Sequence, residues 1–299
     1  MKLPKHRRDQ AALNSRLIRR PIKRMVWLFL LPTFGAFCIG FLYPFFKGLF
    51  LSFCNFRITS QWTWTGLDNY RKAFQDPGYM HAFWYTALFA LVSLLAINLF
   101  AFTIAYALTQ KFKGTNVFRT VFFLPNLIGG IVLGYIWSMI FDGILIKYNT
   151  SVILETKYGF WGLVILVCWQ QIGYMMIIYI AGLQAVPEDM LEAARIDGCN
   201  TFQVYTKIVL HLIGPMLATL IVMDTLWFWN DFQLPLMILN KSPDYWTLPL
   251  FQYNFKSEYS FNYTMAFTAY FMCMFPVLIV YALGQKYIIS GLTAGAVKS

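Results

Sequence analysis

The sequence predicts an all-α, polytopic bundle of transmembrane helices, and three observations support that prediction. Hydrophobic residues make up 59% of the 299 residues, charged residues only 12%, and aromatic residues 19%. A soluble domain carries about 25% charged residues, so this composition excludes an ordinary soluble enzyme. It also excludes intrinsic disorder, which requires low hydrophobicity and high charge. Beside the high hydrophobic content and the low charge, the third observation is a series of six apolar segments. Each is long enough to cross a bilayer, which takes about 20 residues.

The six predicted spans follow one another with short connections. They cover residues 26–46, 83–108, 121–141, 160–183, 210–232 and 264–285. The longest connection has about 36 residues, which is too short for a separate soluble domain. We therefore expect one transmembrane domain over residues 25–299, preceded by a basic segment over residues 1–24. The fifth span is the most open to interruption, because Pro215 lies near its start and Pro235 just beyond its end.

Basic residues are distributed unevenly along the chain. Nine of the 24 Lys and Arg residues lie within the first 24 positions, directly before the first span. With the amino terminus inside, the inner segments carry 16 basic residues and the outer segments 8. Because basic residues are enriched on the cytoplasmic side, we predict that both termini are cytoplasmic. The first apolar run is longer than the apolar core of a signal peptide, which has about 7–15 residues, and no small-residue cleavage site follows it, so we expect this region to be retained.

Three other kinds of site are not expected. The net charge of +11 could suit nucleic acid, but basic and aromatic residues do not alternate beyond the amino-terminal segment. The five cysteines are scattered without metal-ligand spacing, and the three histidines are isolated. The sequence therefore predicts no nucleic-acid binding, no structural disulfide and no metal site.

Polar and aromatic side chains at membrane depth mark a candidate solute path. Ionisable and amide groups inside a span are costly and usually face a cavity or another helix. A sugar would stack on aromatic rings and bond its hydroxyls to amides and carboxylates. These side chains could instead form hydrogen bonds between helices without a ligand. Asn230 and Asp231 could also cap or break a helix near Pro235. The candidates are Trp137, Gln170, Trp229, Asn230 and Asp231.

The segment between the fourth and fifth spans, residues 187–208, differs in composition from the spans. Pro187 suits the first turn of a helix, and acidic residues follow it, as is favourable at a helix amino terminus. Gly198 suits a left-handed helix end, and Asn200 or Thr201 could cap a second short helix. We predict a helix, a glycine turn and a second helix on the cytoplasmic face. The alternative is a plain interfacial loop.

This segment carries a specific motif. Glu192-Ala193-Ala194, followed at fixed spacing by Gly198, Ile208 and Leu210, matches the E-A-A-x3-G-x9-I-x-L pattern and resembles permease subunits of ABC importers. His211 stands where the family usually has proline. Softer motifs are similar to the carbohydrate-importing, maltose-type branch: residues 66–70, Phe123-Leu124-Pro125 with Trp137, residues 181–188, residues 229–232 and the tail 291–298.

The resemblance implies a type I ABC importer permease fold in the bacterial cell membrane. It implies a second permease subunit, which would form a heterodimer with this chain, two ATPase subunits and an extracellular solute-binding protein. No phosphate-binding loop of the form G-x-x-x-x-G-K-[ST] occurs in the sequence, so we expect no cofactor here and ATP with Mg on the ATPase. The residues that would couple the permease to the ATPase are Glu188, Glu192, Ala193, Ala194, Asp197, Gly198, Phe202 and Lys207.

The expected function is therefore ATP-driven import of a sugar or oligosaccharide, with no catalytic residue in this chain. Three alternatives stay open on the sequence alone. The solute could be something other than a sugar. The chain could be an integral membrane enzyme such as a lipid-linked glycosyl transferase, although its outer loops hold only scattered acidic residues. It could also be a secondary transporter, with Asp224 as a proton site.

Overall fold

The protein is described here by a computed structural model. It describes residues 26–28, 30–110, 113–152, 156–200, 203–239, 243–253 and 262–296. The predicted basic segment 1–24 and Phe202 lie outside these residues. The chain divides into two compact units, Met1–Asn69 and Tyr70–Ser299.

The first unit contains one long helix and a small β-hairpin. Helix α1, Val26–Ser52, includes a π-helical stretch at Cys38–Leu42 and extends beyond the predicted end of the first span at residue 46. Strands β1, Cys54–Ile58, and β2, Gln61–Trp64, pair antiparallel, with Cys54 opposite Trp64. The Asn69 amide donates to the carbonyl oxygens of Ser52 and Cys54 at 3.0 Å each, and so fixes the turn out of α1. The all-α prediction omitted this hairpin.

The second unit is helical in the part that the structure describes. Helix α2, Asp68–Gln75, begins two residues before this unit, and α3, Pro77–Thr109, and α4, Thr115–Phe123, come after it. Helices α5, Gly130–Leu145, α6, Thr156–Gln184, and α7, Glu188–Ile196, follow. The later helices are α8, Val204–Leu212, α9, Gly214–Asn230, α10, Gln233–Leu239, α11, Leu248–Tyr253, and α12, Tyr263–Ala296.

Helices α3 and α6 form the centre of this unit. Asp76 caps α3 by accepting from the Tyr79 backbone N–H at 3.0 Å, and Pro77 occupies the first turn. The helix therefore starts six residues before the predicted second span. Along it, small or apolar residues such as Phe89, Ile97 and Ala101 are fully buried in the main apolar core.

The third span was predicted as one helix over residues 121–141, and this is wrong. Helix α4 ends at Phe123, a 3₁₀ turn covers Leu124–Leu127, and α5 begins only at Gly130. Pro125 lacks a backbone N–H, and the two glycines that follow have low helix propensity, so the break has a local cause. The stretch long enough to cross the bilayer is Gly130–Tyr148.

The fifth span is broken where the sequence placed its proline. Helices α8 and α9 meet at an angle of 72°, and Pro215 lies in the first turn of α9. The described residues contain five helices long and apolar enough to cross a membrane, or six if this bent pair is one span. The structure therefore supports a multi-pass membrane protein.

The predicted orientation can be tested by thiol labelling. In a variant lacking the five native cysteines, we expect Tyr70→Cys to react with an impermeant maleimide in intact cells. Asn200→Cys, which is exposed, should react only after the cells are permeabilised. Equal labelling of both positions from outside would overturn the assignment of both termini to the cytoplasm.

Candidate solute cavity and coupling helix

A cavity of about 220 Å³ lies between α5, α6, α9 and α10. Amide and carboxyl groups lie beside aromatic and apolar groups in its wall, a mixture that is typical of sites for small polar ligands. The lining residues are Gly130, Val167, Gln170, Gln171, Trp227, Phe228, Asp231, Gln233 and Leu234.

The break in the third span supports one wall of this cavity. Gln170 Nε2 donates to the backbone carbonyl of Ile128 at 3.5 Å, and Asn126 Nδ2 donates to Gln171 Oε1 at 3.1 Å. A broken helix at membrane depth leaves backbone groups without their usual partners, which must then be satisfied by neighbouring helices. Gln170 thus satisfies one backbone carbonyl beside the break, and Gln171 holds the Asn126 side chain, while both line the cavity.

Asp231 has two roles in the structure. Its Oδ1 accepts from the backbone N–H of Leu234 at 3.4 Å, so it caps α10 as the sequence alternative proposed. It also lines the cavity. Capping fixes the direction in which this carboxyl group points, because α9 ends at Asn230 and α10 starts at Gln233.

Two glycines allow α10 to approach α5 closely. A Cβ atom at Gly130 would lie 2.8 Å from Gln233 Oε1, and one at Gly134 would lie 2.7 Å from Met237 Cβ. Small residues four apart permit such close helix packing in membranes. This packing brings the Gln233 amide to the cavity wall.

The structure brings together only two of the five predicted path residues. Gln170 and Asp231 line the cavity. Trp229 is buried, donates from Nε1 to the Cys273 carbonyl at 3.1 Å, and borders a separate apolar cavity between α3, α9 and α12. This tryptophan therefore packs between helices and does not line the polar cavity.

The other two predicted residues also lie apart from the cavity lining. Trp137 packs against Phe141 and Trp169, with ring centroids 5.0 and 5.3 Å away. Asn230 is exposed, and its Nδ2 donates to the Leu226 carbonyl at 2.8 Å within α9.

Sequence reasoning did not select Gln171, Trp227 or Gln233 for the site. Trp227 is 44% exposed and lies beside Tyr174, with ring centroids 5.8 Å apart. Trp227 precedes Asp231 by four residues, and in the predicted span over residues 210–232 this spacing would place the two on one helix face. That spacing could have identified Trp227, rather than Trp229, as the aromatic partner of the carboxyl group.

Helix α7 ends at Ile196, two residues before the glycine that the sequence indicated. The Cys199 N–H donates to the Ala194 carbonyl at 3.0 Å and the Gly198 N–H to the Arg195 carbonyl at 3.1 Å. Gly198 has a φ of 83°, the left-handed conformation that favours glycine. The helix therefore stops by a glycine-dependent motif.

A second helix, α8, follows in the sequence after this turn. Asn200 Oδ1 accepts from the Gln203 N–H at 2.8 Å, and Gln203 Oε1 accepts from the Asn200 N–H at 3.0 Å. This reciprocal pair is a capping box with Asn200 as the cap. The helix, turn and helix predicted for the segment are therefore present.

Most of the surface of α7 is exposed. Ala194 is buried and Leu191 half-buried against the core, whereas Glu188, Glu192 and Ala193 are exposed. Ile196 is 80% exposed, which is unusual for a large apolar side chain at the end of a polar helix. Asp197 and Gly198 in the turn, and Lys207 on α8, are exposed too. The helix thus carries acidic and apolar groups on a free face.

The described residues contain no group of three or more His, Cys, Asp or Glu side chains that could hold a metal ion. The candidate site consists of a polar cavity lined by α5, α6, α9 and α10, together with the exposed helix α7.

Comparisons with known proteins assign this architecture. Residues 98–293 match the family described as binding-protein-dependent transport system inner membrane component. The chain is 39% identical over 197 residues to the probable starch degradation products transport system permease protein AmyD of Thermoanaerobacterium thermosulfurigenes, covering 63% of this chain and 68% of that protein. It is 36% identical over 233 residues to the multiple sugar-binding transport system permease protein MsmG of Streptococcus mutans, covering 78% of this chain and 81% of that protein.

A solved structure shares the fold. It is a bacterial ABC transporter involved in the import of the acidic polysaccharide alginate, with a TM-score of 0.72 and 19% identity, covering 94% of this chain and 99% of that chain. The match to the family covers most of the chain, and family members are transport subunits rather than enzymes. The chain therefore belongs to the binding-protein-dependent transport system inner membrane components and is a permease subunit of an ABC importer.

Proposed function

We propose that this permease carries a sugar or oligosaccharide and that the cavity between α5, α6, α9 and α10 contacts it. The observation behind this proposal is the cavity wall, where three glutamine amides and the Asp231 carboxyl group face the same space as the Trp227 ring. Amides can both donate to and accept from hydroxyl groups, and an aromatic face fits the apolar side of a sugar ring. The names of AmyD and MsmG agree with this solute class.

A second permease subunit would complete the site. At about 220 Å³, the cavity is smaller than the roughly 300–1,000 Å³ of complete ligand pockets. A second permease of related sequence, packed against the open side, would supply the missing wall in a heterodimer. An extracellular solute-binding protein would deliver the sugar to this pair.

The exposed helix α7 and the turn after it would dock on an ATPase subunit. Glu188 and Glu192 offer negative charge, Ala193 allows close approach, and Ile196 offers an apolar contact. Two such subunits would bind ATP and Mg. The residues assigned to this contact are Glu188, Glu192, Ala193, Asp197, Gly198, Phe202 and Lys207. Ala194, which the sequence also assigned to it, is buried against the core and would instead hold α7 on its own subunit. The segment 187–208, and with it both chain termini, would lie in the cytoplasm.

The test is uptake by the complete complex in proteoliposomes containing ATP, with its solute-binding protein outside. We expect uptake of a labelled starch hydrolysate. Asp231→Ala should lower uptake about tenfold, because it removes both a cavity acceptor and the cap of α10, worth about 1 kcal/mol by itself. Gln170→Ala should lower it as well, with the ATPase subunits retained.

Ile140→Ala on the exposed face of α5 is the matched control and should leave uptake unchanged. Uptake of labelled amino acids in place of the starch hydrolysate would overturn the sugar assignment. Unchanged uptake in both cavity variants would place the solute path elsewhere.

A further inference from the structure

A buried polar cluster joins three membrane helices behind the cavity. Asn98 on α3, Tyr179 on α6 and Asp224 on α9 meet inside the second unit. Asp224 is 0% exposed and Tyr179 1% exposed. Carboxyl groups at this depth are expensive and are retained where they serve a function.

The hydrogen bonds of the cluster form a chain of donors that leads from Tyr179 through Asn98 to Asp224. The Tyr179 hydroxyl donates to Asn98 Oδ1, and Asn98 Nδ2 donates to Asp224 Oδ2 at 3.1 Å. Asn98 Nδ2 also donates to the Leu94 carbonyl at 2.8 Å, which ties the amide to its own helix. Within the described part of the chain, Asp224 Oδ1 is buried and has no hydrogen-bond partner. The carboxyl group is thus held by one neutral amide.

The cluster and the cavity share two helices, α6 and α9. Trp227 and Phe228 follow Asp224 by three and four residues, so they lie one helical turn along α9. Gln170 and Gln171 lie on α6, the helix that carries Tyr179. Helices α6 and α9, which both line the cavity, are therefore joined through Asn98 of α3. A change in this cluster would alter the register and rotation of α9 against α6.

The carboxyl group acts through hydrogen bonding and shape rather than through charge. A buried charge without a cationic partner costs several kcal/mol, and Asn98 is uncharged. A neutral amide of the same shape can accept the same hydrogen bond, whereas an aliphatic side chain cannot.

We propose that Asp224 is a positioning residue for transport, which uses its hydrogen bond to Asn98 to keep α9 in register with α3 and α6 while the cavity walls move. This rests on the proposed function of the cavity. It predicts that Asp224→Asn retains transport, that Asp224→Leu loses it, and that Tyr179→Phe, which removes one hydrogen bond, has an intermediate effect.

Two measurements on the complete complex test the proposal. The first is the number of labelled starch oligosaccharides taken up per ATP hydrolysed in proteoliposomes. We expect Asp224→Asn to stay within about twofold of the parent, Asp224→Leu to fall about tenfold, and Tyr179→Phe to fall about threefold, as a buried hydrogen bond worth about 0.5–1.5 kcal/mol would give. ATP hydrolysis should continue in all three.

The second measurement needs no solute. Gln233 is an exposed residue of the cavity wall. Gln233→Cys, in a background lacking native cysteines, is labelled with an impermeant maleimide with and without ATP. The ATP-dependent change in labelling rate should persist with Asp224→Asn and disappear with Asp224→Leu. If the parent shows no uptake, the proposed function is wrong, and this labelling still decides the role of Asp224.

Two results would overturn the proposal. If Asp224→Asn behaves like Asp224→Leu in both measurements, the charge or a bound ion is what matters. If Asp224→Leu matches the parent, the cluster has no part in transport. Should Asp224→Leu fail to assemble, Tyr179→Phe decides, because unchanged coupling in that variant would also contradict the proposal.

Discussion

Glu192→Lys is expected to reduce the binding of the ATPase subunits about tenfold or more. The lysine would face the basic groups that Glu192 is proposed to contact on the ATPase, and like charges facing each other across an interface cost several kcal/mol. Glu192 is exposed on α7 and free of the membrane core, so the change should not affect folding of the spans. The measurement is the amount of ATPase retained on the purified permease at increasing salt, together with uptake per ATP hydrolysed.

Glu192→Gln is the matched control, since it removes the charge without reversing it. It should show a much smaller loss, and its effect should shrink further as salt screens the interface. ATPase retention by Glu192→Lys equal to that of the parent would show that α7 is not the docking element.

The turn at Gly198 gives an independent test of the same surface. A Cβ atom at this position would meet nothing within 4 Å, so steric contact is not the obstacle. The obstacle is the φ of 83°, which costs an L-residue about 1–2 kcal/mol and more for a β-branched side chain. Gly198→Val should therefore bend the segment differently and uncouple hydrolysis, whereas Gly198→Asn, which tolerates this conformation, should retain most coupling. Equal behaviour of the two variants would contradict this account.

The fold could be predicted largely from local chemistry. Apolar length gave the spans, and the acidic residues after Pro187 together with Gly198 gave the boundaries of α7. The break in the third span could not be read from apolar length, because residues 121–141 stay apolar through it. Pro125 and the two glycines that follow favour the break locally. The partner of the Ile128 carbonyl that the break leaves open is Gln170, more than 40 residues later.

The cavity was harder to predict for the same reason. Composition identified polar residues at membrane depth, but not the direction in which each side chain points. Trp229 and Asp231 are only two residues apart, yet the first is buried against α12 and the second lines the cavity. Trp229 lies within α9, whereas Asp231 follows its last residue, so a helical pattern does not give the direction of both side chains. The close approach of α10 to α5, which places Gln233, depends on two glycines whose role is visible only once the helices are packed.

Gly173 is the position where substitution is expected to damage the cavity most without touching a lining side chain. It lies on α6 against α4, and a Cβ atom there would overlap the carbonyl oxygen of Phe122. The same atom would lie 2.8 Å from the Phe123 Cα. Both obstacles are backbone atoms, which cannot rotate away as a flexible side chain could.

Gly173→Val should therefore push α4 and the following turn away from α6. The hydrogen bonds of Gln170 with Ile128 and of Gln171 with Asn126 span this contact and would lengthen or break. Overpacking of a tight core costs about 1–3 kcal/mol, and two hydrogen bonds are lost in addition. We expect a midpoint of thermal unfolding several degrees lower in detergent, and uptake reduced at least as much as by Gln170→Ala.

Gly143→Ala separates this effect from the general consequence of replacing a helical glycine. Gly143 is exposed on α5, and a Cβ atom there would meet nothing within 4 Å. Alanine in an open helix interior gains about 0.5–1 kcal/mol over glycine, so this variant should be as stable as the parent or slightly more stable. If Gly173→Val and Gly143→Ala unfold at the same temperature and transport equally, α4 and α6 do not approach as closely as described, and the glutamine wall of the cavity is held by other contacts.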